Sequence, residues 1–143
     1  MKRIGGLLLC LLLAGCVGSY NTGNSFVGVA SSETVQQIAK DAVAYMTSLY
    51  PPGHTAIDLV APQEQNTFSQ EFENGLRAKG FTLSGSGKDA VKVAYVLDSL
   101  SGRTSLYLKL IVSDPVKGRM TVTRTYTAAG VPEAGFSTLR TED

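Results

Sequence analysis

Hydrophobic residues recur at spacings of three and four between Ser32 and Tyr50, which predicts a first amphipathic helix. Ser32 is a suitable N-cap for this helix. Pro51 and Pro52 end it near Tyr50, because proline cannot continue the helical hydrogen bonds. The apolar stripe consists of Val35, Ile38, Ala39, Ala42, Met46 and Leu49. A stripe of this kind indicates packing against a hydrophobic core.

A second helix is predicted from Thr67 to Lys79, and Gly80 is well placed to end it in a left-handed turn. Its apolar face is marked at every fourth position by Phe68, Phe72 and Leu76. Between the two helices, the alternating residues from His54 to Val60 predict a strand.

After Gly80 the hydrophobic period changes from that of a helix to that of a strand. The predicted strands are Phe81–Leu83, Ala90–Asp98, Ser105–Ser113 and Arg119–Thr127. Turn signals at Ser99–Thr104 and Asp114–Gly118 connect the last three strands into an antiparallel meander. Arg124 interrupts the apolar face of its strand, so we expect it to lie near an edge of the sheet.

The order of elements, α-β-α-β-β-β-β, predicts an α+β domain with two helices packed on one face of a mostly antiparallel sheet. We expect Phe72 and Leu108 to be buried in the same interface between the helices and the sheet. The remaining segment, Ala128–Asp143, is predicted to be irregular, with Phe136 as its anchor.

The N-terminus has the pattern of an export signal, with Lys2 and Arg3 followed by an apolar run. The run is shorter than the roughly 20 residues that a membrane-spanning helix needs. It ends in Leu13-Ala14-Gly15-Cys16, which is similar to a bacterial lipobox. This resemblance implies that Cys16 is lipidated and becomes the first residue of the mature chain. The residue after this cysteine, Val17, is not aspartate, and in lipoproteins of two-membrane bacteria this resembles release to the outer membrane.

Three regions are therefore predicted along the chain. Residues 1–15 form a lipoprotein signal peptide, residues 16–31 a lipidated N-terminus with a flexible linker, and residues 32–143 a single periplasmic domain. One apolar patch, Phe26–Val29, interrupts the polar linker. It either pairs as a short strand of the domain or docks on a partner.

Charge and cysteine content narrow the possible partners and the possible sources of stability. The chain has 13 basic and 12 acidic residues, and Lys2 and Arg3 leave with the signal. Without a basic excess, a nucleic acid is not expected as a partner. Cys10 also leaves with the signal and Cys16 carries lipid, so the mature domain is expected to be stabilised by packing and not by a disulfide.

The sequence gives little indication of catalysis. His54 is the only histidine, and a zinc site generally needs several nitrogen or sulfur ligands. Ser48, His54 and Asp58 together could supply the residue types of a catalytic triad, but no nucleophile-elbow motif accompanies them. We therefore expect no catalytic, metal-binding or cofactor-binding residues, no cofactor and no small-molecule substrate.

Basic residues are concentrated between Arg103 and Thr127, where Asp114 is the one acidic residue. One interpretation is a solvated strand face whose charges prevent aggregation at a sheet edge. The other is a docking surface for an acidic partner or for anionic lipid headgroups. The candidate partner-binding residues are Phe26, Val27, Val29, Arg103, Lys109, Arg119 and Arg124.

Four segments in this order resemble landmarks of the TrbH lipoproteins, which belong to the conjugal-transfer machinery of plasmids, a type IV secretion system. They are Leu49–Thr55, Leu76–Phe81, Tyr95–Asp98 and Thr123–Tyr126. The lipobox agrees with this resemblance. The likeness implies a non-enzymatic family without catalytic residues.

Two functions are consistent with a lipid-anchored domain of this kind. The first is a structural outer-membrane lipoprotein of a conjugative secretion complex, whose partners are the membrane and other channel subunits. The alternative is a free-standing periplasmic lipoprotein that binds or activates a cell-wall enzyme or another envelope protein. In either case, we expect affinity to come from backbone pairing at an open sheet edge or from the Phe26–Val29 patch.

Overall fold

The computed structural model describes residues 25–28, 30–85, 87–100 and 104–142. Within them, two helices pack on one face of a seven-stranded mixed sheet, which confirms the predicted α+β fold. The elements are β1 (Phe26–Val27), α1 (Ser32–Leu49), β2 (Ala56–Leu59), α2 (Thr67–Lys79), β3 (Thr82–Leu83), β4 (Val91–Ser99), β5 (Leu106–Asp114), β6 (Gly118–Tyr126) and β7 (Pro132–Glu142).

The sheet has the strand order β3-β2-β4-β5-β6-β7, and strands β4 to β7 form an antiparallel meander. On the other side of β4, β2 and β1 pair in parallel with successive parts of that strand. Phe26 lies opposite Val96 in this register, so Phe26 and Val27 form a strand of this domain. Val29, the last residue of the apolar patch, lies outside the described residues.

The ends of both helices follow from local capping. The N-cap of α1 is Ser31 and not Ser32 as predicted, because Ser31 has extended dihedral angles and its hydroxyl accepts a hydrogen bond from the Thr34 amide at 3.2 Å. In α2, Asn66 and Ser69 form a capping box. Gly80 adopts φ +97° after the last turn, which confirms the predicted left-handed end.

The core lies between the helices and the inner face of the sheet. Phe68, Phe72 and Tyr95 form an aromatic cluster whose ring centroids are 4.7 to 6.0 Å apart. Burial raises the pKa of the Tyr95 hydroxyl to about 12. Phe72 and Leu108 belong to the same buried cluster, as the sequence predicted.

The prediction of an irregular C-terminal segment was wrong, because Pro132–Glu142 forms β7 and pairs along β6. The turn before it depends on Gly130, which has φ +79°. Since β7 covers the far side of β6, Arg124 lies on an interior strand and not near an edge as predicted. The side chain of Phe136, the expected anchor, lies outside the described residues.

The strand predicted from His54 to Val60 is shorter in the structure. Pro52–His54 forms a single 3₁₀ turn, so the extended backbone of β2 begins only at Ala56. His54 is consequently an exposed turn residue.

Candidate functional site

The sheet extends beyond the helices at β7, and this leaves a groove between α1 and the inner face of β5, β6 and β7. The inner face is the one that carries the core, and Leu139 of β7 lies on it because it pairs with the buried Val122. The cavity has a volume of about 120 Å³. We call it the α1–β7 groove; it is lined by Asp41, Ala42, Tyr45, Leu108, Leu110, Val122, Arg124, Tyr126 and Leu139.

The base of the groove is apolar, and its mouth is open. The base is formed by buried side chains of β5 and β6, namely Leu108, Leu110 and Val122. Leu139 stands at the mouth and is 62% exposed, which is unusual for a leucine on the core-facing side of a sheet. The groove can therefore accept an apolar group that enters from the edge of the sheet.

One end of the groove is polar. Arg124 of β6 approaches the Asp41 carboxylate of α1 with Nη1 2.9 Å from Oδ2. The Tyr126 hydroxyl donates a hydrogen bond to the same carboxylate oxygen at 2.8 Å. One aspartate on α1 thus connects the helix to two inner-facing residues of β6. This contact explains how an arginine is accommodated on the apolar face of the strand.

The hydroxyl groups of the groove stay neutral near neutral pH. Burial raises the pKa of Tyr126 above its usual range, and the hydrogen bond to the Asp41 carboxylate raises it further. Burial also raises the pKa of Tyr45, although the positive charge of Arg124 partly opposes this effect. The groove therefore has an apolar base, and the charges of Arg124 and Asp41 at its polar end compensate each other. These two properties are suited to recognition of an apolar side chain.

We expect the free energy of unfolding to fall as the pH rises above about 10, the ordinary tyrosine pKa. In the unfolded chain Tyr126 ionises at that pH, whereas its raised pKa keeps it protonated in the folded state. The loss is up to about 1.4 kcal/mol per pH unit for each such tyrosine. Urea titrations from pH 8 upward measure it, and Tyr126→Phe should show a shallower decline. An unchanged decline in the variant would contradict the assignment.

A second polar contact joins the turn between β5 and β6 to the end of α1. Lys117 lies over the Tyr50 ring at 4.8 Å from its centroid. Asp114 accepts hydrogen bonds from the backbone amides of Val116 and Lys117. Burial raises the pKa of Tyr50, and the nearby Asp114 carboxylate adds to the shift. This contact was not predicted from the sequence, although the turn signal at Asp114 marks its position.

The predicted basic hairpin is divided between the two faces of the sheet. Lys109 pairs with Thr123 and Arg119 with Ser113, positions that alternate with the buried inner residues, so both basic residues lie on the outer, helix-free face. Arg124 lies on the inner face beside Asp41. Arg103 and Cys16 lie outside the described residues.

The outer face of the meander has a further basic residue that the sequence analysis did not single out. Arg140 of β7 pairs with Thr121 and is exposed at the edge of the sheet. It lies on the same face as Arg119 and Lys109. Recognising β7 as a strand would have identified Arg140. Its segment was instead predicted to be irregular.

The residues considered for a catalytic triad have structural roles or are exposed. The Ser48 hydroxyl donates to the Tyr45 carbonyl at 2.6 Å, and Asp58 lies 3.9 Å from the Lys92 amino group. Among the described residues, no group of three or more histidine, cysteine or acidic side chains is placed to hold a metal ion. In the same part of the chain, no helix has the length and apolar character needed to cross a membrane.

Comparison with known proteins places the chain in a family. The family model described as "Conjugal transfer protein TrbH" matches residues 19–142, which include every strand and helix described above. No curated protein and no solved structure matches the chain.

Proposed function

The chain belongs to the TrbH family of conjugal transfer proteins, and from this premise we propose that it is a non-enzymatic structural component of a conjugative type IV secretion complex. The resemblance seen in the sequence is confirmed by the family match. The observation that carries the proposal is the extent of this match, residues 19–142, across the whole folded domain. An open sheet edge beside an apolar groove is consistent with a part that binds other proteins.

We further propose that Cys16 is lipidated and holds the domain at the outer membrane, facing the periplasm. The lipobox-like Leu13-Ala14-Gly15-Cys16 and the following Val17 support this location. Phe26, the first residue of β1, follows Cys16 closely in the sequence. A fully extended chain of that length spans at most roughly 35 Å. The lipid would therefore keep the domain close to the membrane surface, within reach of an envelope complex.

Cys16→Ser should release the protein from the membrane fraction, because the hydroxyl cannot form the thioether that carries the diacylglyceryl group. The variant should also lack the mass of the acyl chains. Fractionation and intact mass spectrometry measure both effects, with Cys10→Ser as the matched control. If Cys16→Ser stayed membrane-bound with the mass of the wild type, the anchor would be disproved.

The structural role is tested by a pull-down of the lipidated full chain in detergent from cells that carry the complete transfer system. We expect other subunits of the secretion channel to be recovered. A parallel pull-down from cells without the transfer genes controls for non-specific envelope proteins. Recovery of the same proteins from both strains, with no channel subunit, would contradict the role.

A further inference from the structure

The outer edge of β7 is open for backbone pairing. β6 pairs with one side of β7, and in the part of the chain that the structure describes no strand pairs with the other. The pairing with β6 runs without interruption from Ser137 to Glu142. An open edge of this length presents backbone amides and carbonyls on which a further strand can be added.

The same edge carries both an apolar projection and an apolar cavity. Leu139 lies on the inner face, is 62% exposed and stands at the mouth of the α1–β7 groove. The groove, with a volume of about 120 Å³, has room for one large apolar side chain. An interface between two copies related by a two-fold axis must be complementary to itself. The edge of β7 meets this requirement, because the leucine and the groove lie side by side on it.

One register of self-pairing brings the leucine of each copy to the groove of the other. A two-fold axis at Leu139 pairs Ser137–Thr141 of one copy, antiparallel, with the same segment of the second copy. This segment lies entirely within the uninterrupted part of β7. The two Leu139 residues are then opposite each other and project to the same face. The mouths of the two grooves therefore meet at the axis, and both leucines cover them.

The neighbouring registers match the edge less well. An axis at Arg140 places the two arginines opposite each other, where like charges are destabilising. An axis at Thr141 places Leu139 against Asp143, an acidic residue beyond the end of β7. An axis one position before Leu139 places this leucine against Ser137. Of these registers, only the one with its axis at Leu139 pairs an apolar residue with an apolar residue.

The outer face of β7 does not require a charged residue from its occupant. Arg140 pairs with Thr121 on the outer face, and Arg119 lies on the same face of β6. Both arginines already have a partner within their own chain. With the axis at Leu139, Arg140 lies opposite Thr138 of the second copy, so no like charges are directly opposed. A second copy of the chain therefore fits both faces of the edge.

We propose that the edge of β7 binds the same edge of a second copy of this chain. The two copies pair antiparallel about a two-fold axis at Leu139, so that their two seven-stranded sheets become continuous and each leucine covers the groove of the other copy. The interface is small, and we expect it to separate in urea before the domain unfolds. The inference goes beyond the proposed function and does not depend on it, since both participants are this chain.

A cysteine at the axis tests the register. Leu139→Cys places the two introduced thiols opposite each other, where Cβ atoms lie about 4.5–5.5 Å apart and a disulfide can form with little movement. We expect the purified full chain in detergent to give a disulfide-linked dimer on mild oxidation. The wild-type chain, treated identically, controls for Cys10 and Cys16. The absence of this dimer with Leu139→Cys would overturn the inference.

Thr141→Cys is the matched control for position 139. Thr141 is exposed, and it lies on the same inner face of β7 because it pairs with Met120. In the proposed register its two copies are four positions apart along the strands, a distance of about 14 Å. They should therefore not be linked. Equal linkage at positions 139 and 141 would reveal chance encounters within a micelle and would overturn the inference.

Sedimentation of the full chain in detergent measures the association itself. We expect a dimer, and Leu139→Asp should weaken its association about tenfold or more, because it places two like charges opposite each other at an apolar contact. Val116→Asp is the control for the added charge, since Val116 is 90% exposed in the turn between β5 and β6. A monomeric wild type, or a dimer that Leu139→Asp leaves intact, would contradict the proposal. If Leu139→Asp proves poorly folded, the cysteine variants still decide the register.

Oxidation of Leu139→Cys in cells that carry the complete transfer system distinguishes a second copy from another protein. We expect a linked product with twice the mass of the chain. A product with a different protein, and none with itself, would overturn the inference and assign the edge to another subunit. If the pull-down recovers channel subunits but no dimer forms, the inference fails and the proposed function stands. The reverse outcome refutes the proposed function alone.

Discussion

Phe72→Ala should lower the free energy of unfolding by about 3–5 kcal/mol. Phe72 is fully buried on α2, and its ring lies 5.4 Å from that of Phe68 and 6.0 Å from that of Tyr95. The substitution removes apolar surface from the core and leaves a cavity that two large, constrained rings cannot collapse to fill. Urea denaturation of the full chain, followed by circular dichroism, measures the change.

Leu139→Ala is the matched control for this core substitution. It also removes a large apolar side chain, but Leu139 is 62% exposed. We expect a change within about 0.5 kcal/mol, as at most surface positions. Equal effects of Phe72→Ala and Leu139→Ala would show that the helices do not bury the sheet as described.

Gly130→Ala should destabilise the fold by about 1–3 kcal/mol. Gly130 has φ +79°, and a Cβ atom there would lie 2.7 Å from the backbone carbonyl oxygen of Thr34. The turn between β6 and β7 is held against the start of α1, where the Thr34 hydroxyl donates to the Ala128 carbonyl at 2.8 Å. Backbone atoms are on both sides of this contact, so either the turn or the helix start must move.

Gly53→Ala provides the comparison for Gly130→Ala. An added Cβ at Gly53 has no atom within 4 Å, and its φ is not in the left-handed range. Thermal melts of the two variants should separate clearly, with Gly53→Ala close to the wild type. If both melted at the wild-type temperature, the packing of the β6–β7 turn on α1 would be wrong.

Much of the fold could be predicted from the sequence, because its strongest determinants are local. The four-residue spacing of Phe68, Phe72 and Leu76 defines the buried face of α2 without reference to the rest of the chain. Gly80 ends that helix for a reason that also lies in the sequence, the tolerance of glycine for a positive φ. The alternating residues of β4 and β5 likewise specify which side faces the core.

β7 could not be predicted in the same way. The end of β7 shows no alternation of apolar and polar residues, as at Thr138, Arg140 and Thr141. The reason is that this edge strand is exposed on both faces at its end. Its strand conformation comes from pairing with β6, a contact between chain segments that hydrophobic periodicity does not reveal. The α1–β7 groove depends on this strand, so it could not be predicted either.

The division of the basic residues could have been found from strand alternation. Arg124 shares its parity in β6 with Met120 and Val122, whereas Arg119 has the opposite parity. The predicted basic surface therefore combined residues that project to opposite faces of the sheet. The partner of Arg124 was beyond such reasoning, since Asp41 lies on α1 and is brought close only by the packing of the helix on the sheet.

The most direct measurement for the proposed function is the frequency of plasmid transfer from a donor in which this gene is deleted without disturbing its neighbours. We expect transfer to fall sharply, to be restored by the wild-type gene, and to remain low with Cys16→Ser expressed at the same level. Cys10→Ser serves as the matched control and should restore transfer. Transfer at the wild-type frequency in the deletion strain would contradict the role in the secretion complex.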